Sequence, residues 1–283
     1  MFKLRNVGLY REIKGKCGVL PNFMIIGTPA GGTSSLYEYL SAHPFVSRAS
    51  TKEVHFFDNE VHWRQGINWY KSYFPCCISK FYKTRMAKQD FVTGEASPSY
   101  LANPHTAYRA FAITPQAKFI VLLRNPVERA YSYYNFRVRW KKEKKQSFEE
   151  AIDMEEKILC EGKAEINDDS HNFGLKYVVK APYYPYLATG IYIKHLKVWM
   201  NVFLKEQFLV LKSEDFFSDT STYYKKVLHF LDLPIWEPDE YPRLNANKDK
   251  VNMDPVTRNR LAGIFEVYNQ RLYDYLSVDF NWK

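Results

Sequence analysis

A short glycine-containing loop between an apolar run and an amphipathic stretch limits the possible folds of this chain more than any other feature. Phe23 to Ile26 is an apolar run that Gly27 ends, and residues 34–40 carry apolar side chains at helical spacing. This pattern predicts a buried strand, a tight loop and a helix. Free backbone N–H groups and the helix dipole at such a helix start favour a phosphate-like anion.

The loop from Gly27 to Leu36 has several groups suited to binding an anion. Its two adjacent glycines allow close approach to the backbone, and its hydroxyl groups add hydrogen-bond donors. The candidate anion-binding residues are Thr28, Gly31, Gly32, Thr33, Ser34 and Ser35. Two glycines alone favour an ordinary strand-to-helix turn. A nucleoside-triphosphatase loop is disfavoured, because its motif requires lysine where Thr33 stands.

A second strand, turn and helix is predicted from Lys118 onward. The apolar run from Lys118 to Leu123 is followed by Asn125 as helix N-cap and Pro126 as first helical residue. Arg124 carries a planar guanidinium suited to a phosphate, and Ser132 lies two turns into the helix with a hydroxyl to donate. Taken singly, an ion pair and a packing serine are the simpler interpretations. Together with the first loop, they place anion-binding groups at the carboxyl ends of two predicted parallel strands, where ligands of open α/β sheets bind.

The rest of the chain alternates between helical and strand periodicity. The predicted elements are helices from Ser147 to Cys160, within Ile191 to Phe203, from Ser218 to Leu231 and from Pro255 to Leu276, and a strand from Gln207 to Leu211. The alternation predicts an α/β fold with a central, mostly parallel sheet flanked by helices. We expect an N-terminal extension over residues 1–20, one domain over residues 21–283 and a long loop over residues 162–186.

Composition narrows the class of protein only slightly. The net charge of +9 favours anionic ligands without choosing among nucleotides, sulfated glycans and nucleic acid. Four cysteines without C-x-x-C spacing favour reduced thiols over a disulfide framework or zinc site. No apolar stretch of about 18 residues is present, and the polar start lacks the apolar centre of a signal peptide, so we expect a cytoplasmic protein.

Several blocks of the sequence together resemble the sulfotransferases that use 3'-phosphoadenosine 5'-phosphosulfate (PAPS), especially the heparan-sulfate-type group and its bacterial relatives. The matching blocks are Gly27 to Leu36, Lys52 to Asp58, Gly94 to Pro98, Val121 to Ser132, Gly190 to Tyr192 and Ser213 to Asp215, and the match runs from about Asn22 to the end. The resemblance implies a P-loop-like sulfotransferase fold. It also implies sulfuryl transfer from PAPS to a hydroxyl or amine, with adenosine 3',5'-bisphosphate (PAP) as product and no metal.

The resemblance also assigns roles to individual residues. It implies that Glu53 is the catalytic base, whose pKa we expect to be raised by desolvation and by the phosphosulfate charge. His55 either orients Glu53 or is itself the base. The cofactor-binding set then extends to Arg124, Ser132, Tyr192 and Lys248.

Two positions depart from the resemblance and leave alternatives open. Ala30 and Ala96 stand where members of the heparan-type group carry lysines, so Lys52 or Lys248 is expected to supply the missing cation. Otherwise the chain is a weak or inactive PAPS- or PAP-binding relative.

The acceptor and the other ligands are predicted only by class. The expected acceptor is a small molecule or carbohydrate, with no nucleic acid and no membrane as partner, and the oligomeric state stays open. A polyanion-binding protein using the basic run from Arg137 to Lys145 is a further alternative. A metal held by His55, Asp58 and His62 is disfavoured, because their spacing matches no standard site.

Overall fold

The computed structural model describes residues 11–88, 90–140, 147–160, 185–245 and 253–282. Within these ranges one sheet contains five strands: β1 (Phe23–Gly27), β2 (Val46–Arg48), β3 (Val92–Ala96), β4 (Lys118–Leu123) and β5 (Phe208–Lys212). The strand order is β2-β3-β1-β4-β5, and every neighbouring pair is parallel. The predicted parallel sheet is confirmed.

Helices connect and cover these strands. In chain order they are α1 (residues 11–17 of its described part), α2 (Thr33–Ala42), α3 (Glu60–Trp63), α4 (Gly66–Lys71), α5 (Cys77–Ala87), α6 (Pro104–Ile113), α7 (Pro126–Arg139), α8 (Phe148–Cys160), α9 (Tyr192–Met200), α10 (Ser213–Ser218), α11 (Thr220–Phe230) and α12 (Pro255–Leu276). Short 3-10 turns occur at Ala188–Gly190 and Lys205–Gln207.

The core forms two layers, one on each face of the sheet. Successive strand residues point to opposite faces, so Phe23 and Ile25 of β1 pack with α2 and α11. Met24 and Ile26 pack on the other face with residues of α7, α9 and α12. Both faces are therefore covered by helices, as the sequence pattern predicted.

Most predicted element boundaries agree with the structure. The Asn125 side chain accepts hydrogen bonds from the backbone N–H groups of Val127 (3.0 Å) and Glu128 (3.4 Å), so it caps α7 as predicted. The capping box before α8 is also present: Glu150 N donates to Ser147 Oγ at 3.1 Å, and Ser147 N donates to Glu150 at 2.7 Å.

One predicted helix has a different start. Ser218 ends α10, and Asp219 begins the next helix by accepting a hydrogen bond from Thr222 N at 3.2 Å. Aspartate is a preferred N-cap residue, so the helix begins after Asp219 and not at Ser218, where the apolar pattern placed its start. The predicted long loop lies almost wholly outside the described residues, and the division at residues 20 and 21 stays a prediction.

Candidate active site

A cleft of about 670 Å³ lies at the carboxyl edge of the sheet. Its walls come from the loops that follow β1, β2, β3 and β4, from one side of α7, and from residues 243–245. Ligands of parallel α/β sheets bind at this edge because strand ends and helix starts converge there. The two loops that the sequence singled out therefore meet at one cavity.

The loop after β1 has a shape that only glycine permits at two positions. Gly32 has φ of 98°, and a Cβ there would lie 2.6 Å from the ring of Phe217. A Cβ on Gly31 would lie 2.8 Å from the backbone oxygen of Leu122. Gly32 is also the N-cap of α2 and provides no side-chain cap, and the first residues of the helix, Thr33 and Ser34, line the cleft.

The hydroxyl groups of this loop divide into two sets. Thr33 and Ser34 line the cleft. Ser35 is fully buried and accepts a hydrogen bond from Leu244 N at 2.9 Å, and Thr28 is also buried, with its N–H donating to the Leu122 oxygen at 2.9 Å. Gly31 likewise lies behind the surface, where its oxygen accepts from Ser213 Oγ at 2.8 Å. Thr28, Gly31 and Ser35 therefore shape the loop.

Arg124 and Ser132 lie on the same cleft. Arg124 Nη1 donates to the Ala30 oxygen at 3.0 Å, which ties the guanidinium to the first loop, and burial lowers its pKa. Tyr192 is fully buried and donates its hydroxyl to the Arg124 backbone oxygen at 2.8 Å. It therefore positions Arg124 instead of facing the cleft, which differs from the direct cofactor contact that the sequence suggested.

A charged cluster after strand β2 lines the same cleft. Lys52 Nζ lies 2.8 Å from Glu53 Oε1, and His55 Nε2 lies 3.5 Å from Glu53 Oε2. The other ring nitrogen of His55 lies 3.0 Å from Asp58 Oδ2, which also accepts a hydrogen bond of 2.5 Å from Ser99 Oγ. The imidazole is thus held between two carboxylates.

The pKa values of this cluster correct one prediction. Burial raises the pKa of the Glu53 carboxyl, but the hydrogen bond from His55 and the interactions with Lys52 outweigh it and lower the pKa to about 2. Desolvation, which the sequence-based expectation invoked, is outweighed here by two neighbouring cations that the expectation did not include, while its dependence on the phosphosulfate charge stays a prediction. The hydrogen bonds to Asp58 and Glu53 raise the pKa of His55 to about 10. This shift favours the imidazolium form of His55, which suits a residue that orients Glu53.

A buried hydrogen-bond network holds the backbone that carries this cluster. Glu53 N donates to the Ala96 oxygen at 3.1 Å, His55 N to Ser97 Oγ at 3.4 Å, and Phe56 N to the Tyr100 hydroxyl at 2.9 Å. Ser97 and Tyr100 both donate to the Glu95 carboxylate, as does Tyr70 at 2.5 Å. Burial raises the pKa of Glu95 to about 7. The sequence match included Glu95 but suggested no role for it.

Arg243 is a cleft residue that sequence reasoning missed. Its guanidinium lies 4.1 Å from the ring centroid of Phe217, the same ring that packs against Gly32. Within the described ranges, no carboxylate forms an ion pair with Arg243, whereas Arg258 on the same cleft pairs with Glu128. No motif surrounds Arg243, so the three-dimensional arrangement was needed to identify it.

The remaining residues that the sequence singled out have different locations. Lys248 and residues 141–145 of the basic run lie outside the described residues. Ala30 lines the cleft, whereas Ala96 is fully buried in β3. His62 Nδ1 lies 2.9 Å from the backbone oxygen of His55. In the ranges that the structure describes, no group of three or more His, Cys, Asp or Glu residues has metal-binding geometry.

The family model and the similar known proteins all indicate the same family. The sulfotransferase domain model matches residues 20–253. The membrane-associated sulfotransferase kil1 of Dictyostelium discoideum is 28% identical, covering 96% of this chain and 68% of its own length. Heparan sulfate glucosamine 3-O-sulfotransferase 5 of Mus musculus is 26% identical, covering 93% of this chain and 74% of its own.

A solved structure agrees with the fold. The sulfotransferase from Alicyclobacillus acidocaldarius superposes with a TM-score of 0.66 and 29% identity, covering 93% of this chain and 98% of that one. The expected P-loop-like sulfotransferase fold and the resemblance to heparan-type and bacterial sulfotransferases are confirmed.

These relatives also contradict the predicted cytoplasmic location. That prediction rested on the sequence lacking a long apolar stretch, yet the kil1 relative is named as membrane-associated. Among the described helices, none is both long enough and apolar enough to cross a bilayer.

Proposed function

The chain belongs to the sulfotransferase domain family, and on this premise we propose that it transfers a sulfuryl group from PAPS to a carbohydrate or small-molecule acceptor and releases PAP. The observation that carries the proposal is the convergence of two anion-binding features on one cleft. The start of α2, which has no side-chain cap, lies at the cleft beside Thr33 and Ser34, and Arg124 and Ser132 line the same cleft. Sulfuryl transfer is the activity class that the relatives support.

The fit of the residues to PAPS rests on their charges and donors. Helix starts and planar guanidinium groups are suited to phosphate oxygens. Arg124 keeps its guanidinium partly desolvated, and Arg243 adds a second cation that no described carboxylate neutralises. We assign the 5'-phosphosulfate to the α2 start and the 3'-phosphate to Arg124 and Ser132. When bound, PAPS supplies the sulfuryl group and a leaving phosphate.

Glu53 is the proposed proton acceptor. As the acceptor oxygen or nitrogen forms its bond to sulfur, the bond from sulfur to the bridging phosphate oxygen breaks and its electron pair stays with PAP. The acceptor proton passes to a Glu53 oxygen. His55, held by Asp58, orients that carboxylate and cannot take the proton because it already carries one. His55 is therefore a positioning residue.

Lys52 connects base and donor in this proposal. It pairs with Glu53 at 2.8 Å in the structure and lines the same cleft as the α2 start. A bound phosphosulfate attracts the ammonium group away from Glu53 and places negative charge near the carboxylate. Both changes raise the pKa of Glu53 toward the range of an effective base. The same movement lets Lys52 replace the lysine that is absent at Ala30.

The acceptor class follows from the cleft walls and from the relatives. Tyr131, Tyr133 and Phe136 of α7 line the same cleft as the charged cluster. Aromatic surfaces with a few polar groups suit a ring-shaped, partly polar acceptor. One relative is named for heparan sulfate glucosamine. We therefore propose a carbohydrate or similar hydroxylated or aminated ring as acceptor.

A second candidate function is PAP binding without turnover. The absence of lysine at Ala30 and Ala96 favours it, because an active site without the leaving-group cation loses transition-state stabilisation. Ala96 is fully buried, so that position offers no place for a cation from the cleft. In this alternative the nucleotide-binding groups are kept and the chemical step is lost.

Calorimetric titration with PAP tests the nucleotide assignment common to both candidates. We expect a single site, and we expect Arg124→Gln to weaken PAP binding by more than about tenfold, since a charge-assisted phosphate contact contributes about 1.5–3 kcal/mol. Arg109→Gln is the matched control, because Arg109 lies outside the cleft and pairs with Glu60. Absence of PAP binding, or equal affinities for wild type and Arg124→Gln, contradicts the assignment.

A further inference from the structure

The surface of helix α5 carries an unusual group of exposed apolar side chains. Ile78, Phe81, Tyr82 and Met86 are 60, 60, 62 and 84% exposed. Their spacing of i, i+3, i+4 and i+8 places them along one side of the helix. A helix of a folded domain normally buries such a stripe, so this side of α5 is suited to contact something outside the domain.

The charge around the stripe is of one sign. Residues 76–88 contain four basic side chains and no acidic one; the basic residues are Lys80, Lys83, Arg85 and Lys88. Lys83 contacts the rest of the domain, because its Nζ lies 3.5 Å from Oγ of Ser47 in strand β2. Arg85 and Lys88 are exposed, and within the described ranges neither pairs with a carboxylate.

The contacts of α5 with the rest of the domain show which side of the helix remains exposed. The residue before the helix, Cys76, forms a β-bridge with Gly18, and Lys83 contacts the ring of Phe91 and β2. These contacts fix the helix along the β2 edge of the sheet. The apolar stripe and the two unpaired cations project from the remaining surface.

We propose that α5 docks on the surface of a bilayer containing anionic lipids. Helices that lie in the membrane interface combine apolar side chains, which enter the acyl boundary, with Lys and Arg residues that contact headgroups. The long side chain of Arg85 emerges within the apolar side of the helix and carries its charge outward to the headgroup level. The bilayer therefore binds α5 both by burying its apolar side chains and by attracting its positive charges.

A second copy of this chain fits the same surface less well. A two-fold interface places α5 against α5, which brings the cations of one copy close to those of the other. Like charges facing each other across an interface are destabilising. An anionic bilayer has the complementary charge and imposes no such cost. The proposal is independent of the sulfuryl-transfer mechanism, since none of these residues lines the cleft.

Vesicle sedimentation of the full chain tests this proposal. We expect the protein to sediment with phosphatidylcholine vesicles that contain phosphatidylserine, and much less with phosphatidylcholine alone. Phe81→Glu is expected to reduce binding by more than about tenfold, because it replaces an inserting ring with a repelled charge. Neutralising Arg85 and Lys88 to Gln is expected to reduce binding about 25-fold, since each cation near such a surface contributes about fivefold.

Matched variants on other surfaces serve as controls. Val267→Glu alters an apolar side chain of α12 that is 57% exposed, and Lys205→Gln with Lys226→Gln removes two exposed cations elsewhere. These variants are expected to bind vesicles as the wild type does, and all variants are expected to keep their PAP affinity and thermal transition. No binding to the anionic vesicles, or equal loss in the control variants, overturns the proposal. A concentration-dependent dimer that Phe81→Glu dissociates, without vesicle binding, also overturns it.

Discussion

His55 Nε2 lies 3.5 Å from Oε2 of Glu53, so the imidazolium holds the carboxylate in one orientation while leaving its other oxygen with Lys52. The proposed base is therefore built from a carboxylate whose charge is stabilised before any substrate arrives. We expect Glu53→Gln to lower kcat by about 10²–10⁴-fold, the usual contribution of a positioned base, with PAP affinity within about threefold of wild type. Glu60→Gln, an exposed carboxylate paired with Arg64, serves as control. Steady-state kinetics on Glu53→Gln with unchanged kcat would contradict the assignment.

The pH dependence of stability tests the charged state of His55. Its folded-state pKa of about 10 lies above the ordinary value of 6.5, so its contribution to stability is full below about pH 6.5 and is lost as pH rises through 10. Glu53, with a folded-state pKa of about 2, contributes above its ordinary value of 4.5 and loses this contribution as pH falls toward 2. We expect the stability difference between wild type and His55→Gln to be largest between about pH 4.5 and 6.5. Thermal unfolding across pH measures it, and a difference that grows above pH 7 contradicts the assignment.

Lys52 is predicted to act in the chemical step and not only as the partner of Glu53. We expect Lys52→Ala to lower kcat by about 100-fold or more, since loss of one group that stabilises transition-state charge costs this much. Adding Ala30→Lys to that variant is expected to recover at least about tenfold, because it returns a cation to the first loop. Lys248→Ala is measured in parallel. If single alanine variants of both lysines keep turnover within about threefold of wild type, neither replaces the absent lysine.

The Tyr100 hydroxyl is predicted to stabilise the loop that carries the base. It accepts from Phe56 N at 2.9 Å and donates to buried Glu95. Tyr100→Phe leaves Phe56 N without its partner and removes one of three donors to the Glu95 carboxylate, which keeps Tyr70 and Ser97. We therefore expect a loss of about 1–3 kcal/mol in the free energy of unfolding together with a reduced kcat. Tyr224→Phe removes a buried hydroxyl that donates to the Tyr39 oxygen, and is expected to lower stability without changing kcat. Denaturant titration and kinetics on the pair separate the two effects, and equal changes in kcat would contradict the positioning role.

The parts of the fold that were predictable have strong local signals. The apolar runs of β1, β4 and β5 and the caps at Asn125 and Ser147 are sufficient to place their elements from sequence. The sequence did not predict strand β3, because the strand buries the charged residue Glu95 and therefore lacks the apolar run by which a buried strand is recognised. Strand β2 is only three residues long. Both strands are defined by pairing with distant segments.

The candidate site shows the same division. The sequence resemblance indicated Glu53, His55 and Arg124, and the structure places all three on one cleft. The direction of the Glu53 pKa shift was not predictable, because it depends on how Lys52 and His55 are oriented in space. Arg243 was missed for a related reason. It lies near the first loop because its guanidinium packs on the ring of Phe217, which also packs against Gly32, and these three residues are far apart in sequence.

The central claim is that this chain moves a sulfuryl group from PAPS to an acceptor. Incubation with PAPS radiolabelled in its sulfuryl group, together with a mixture of carbohydrates and small hydroxylated or aminated metabolites, tests it most directly. We expect a labelled acceptor formed in equal amount with PAP, and loss of that product in Glu53→Gln. Binding of PAP without label in any acceptor would contradict sulfuryl transfer and leave the chain as a nucleotide-binding relative.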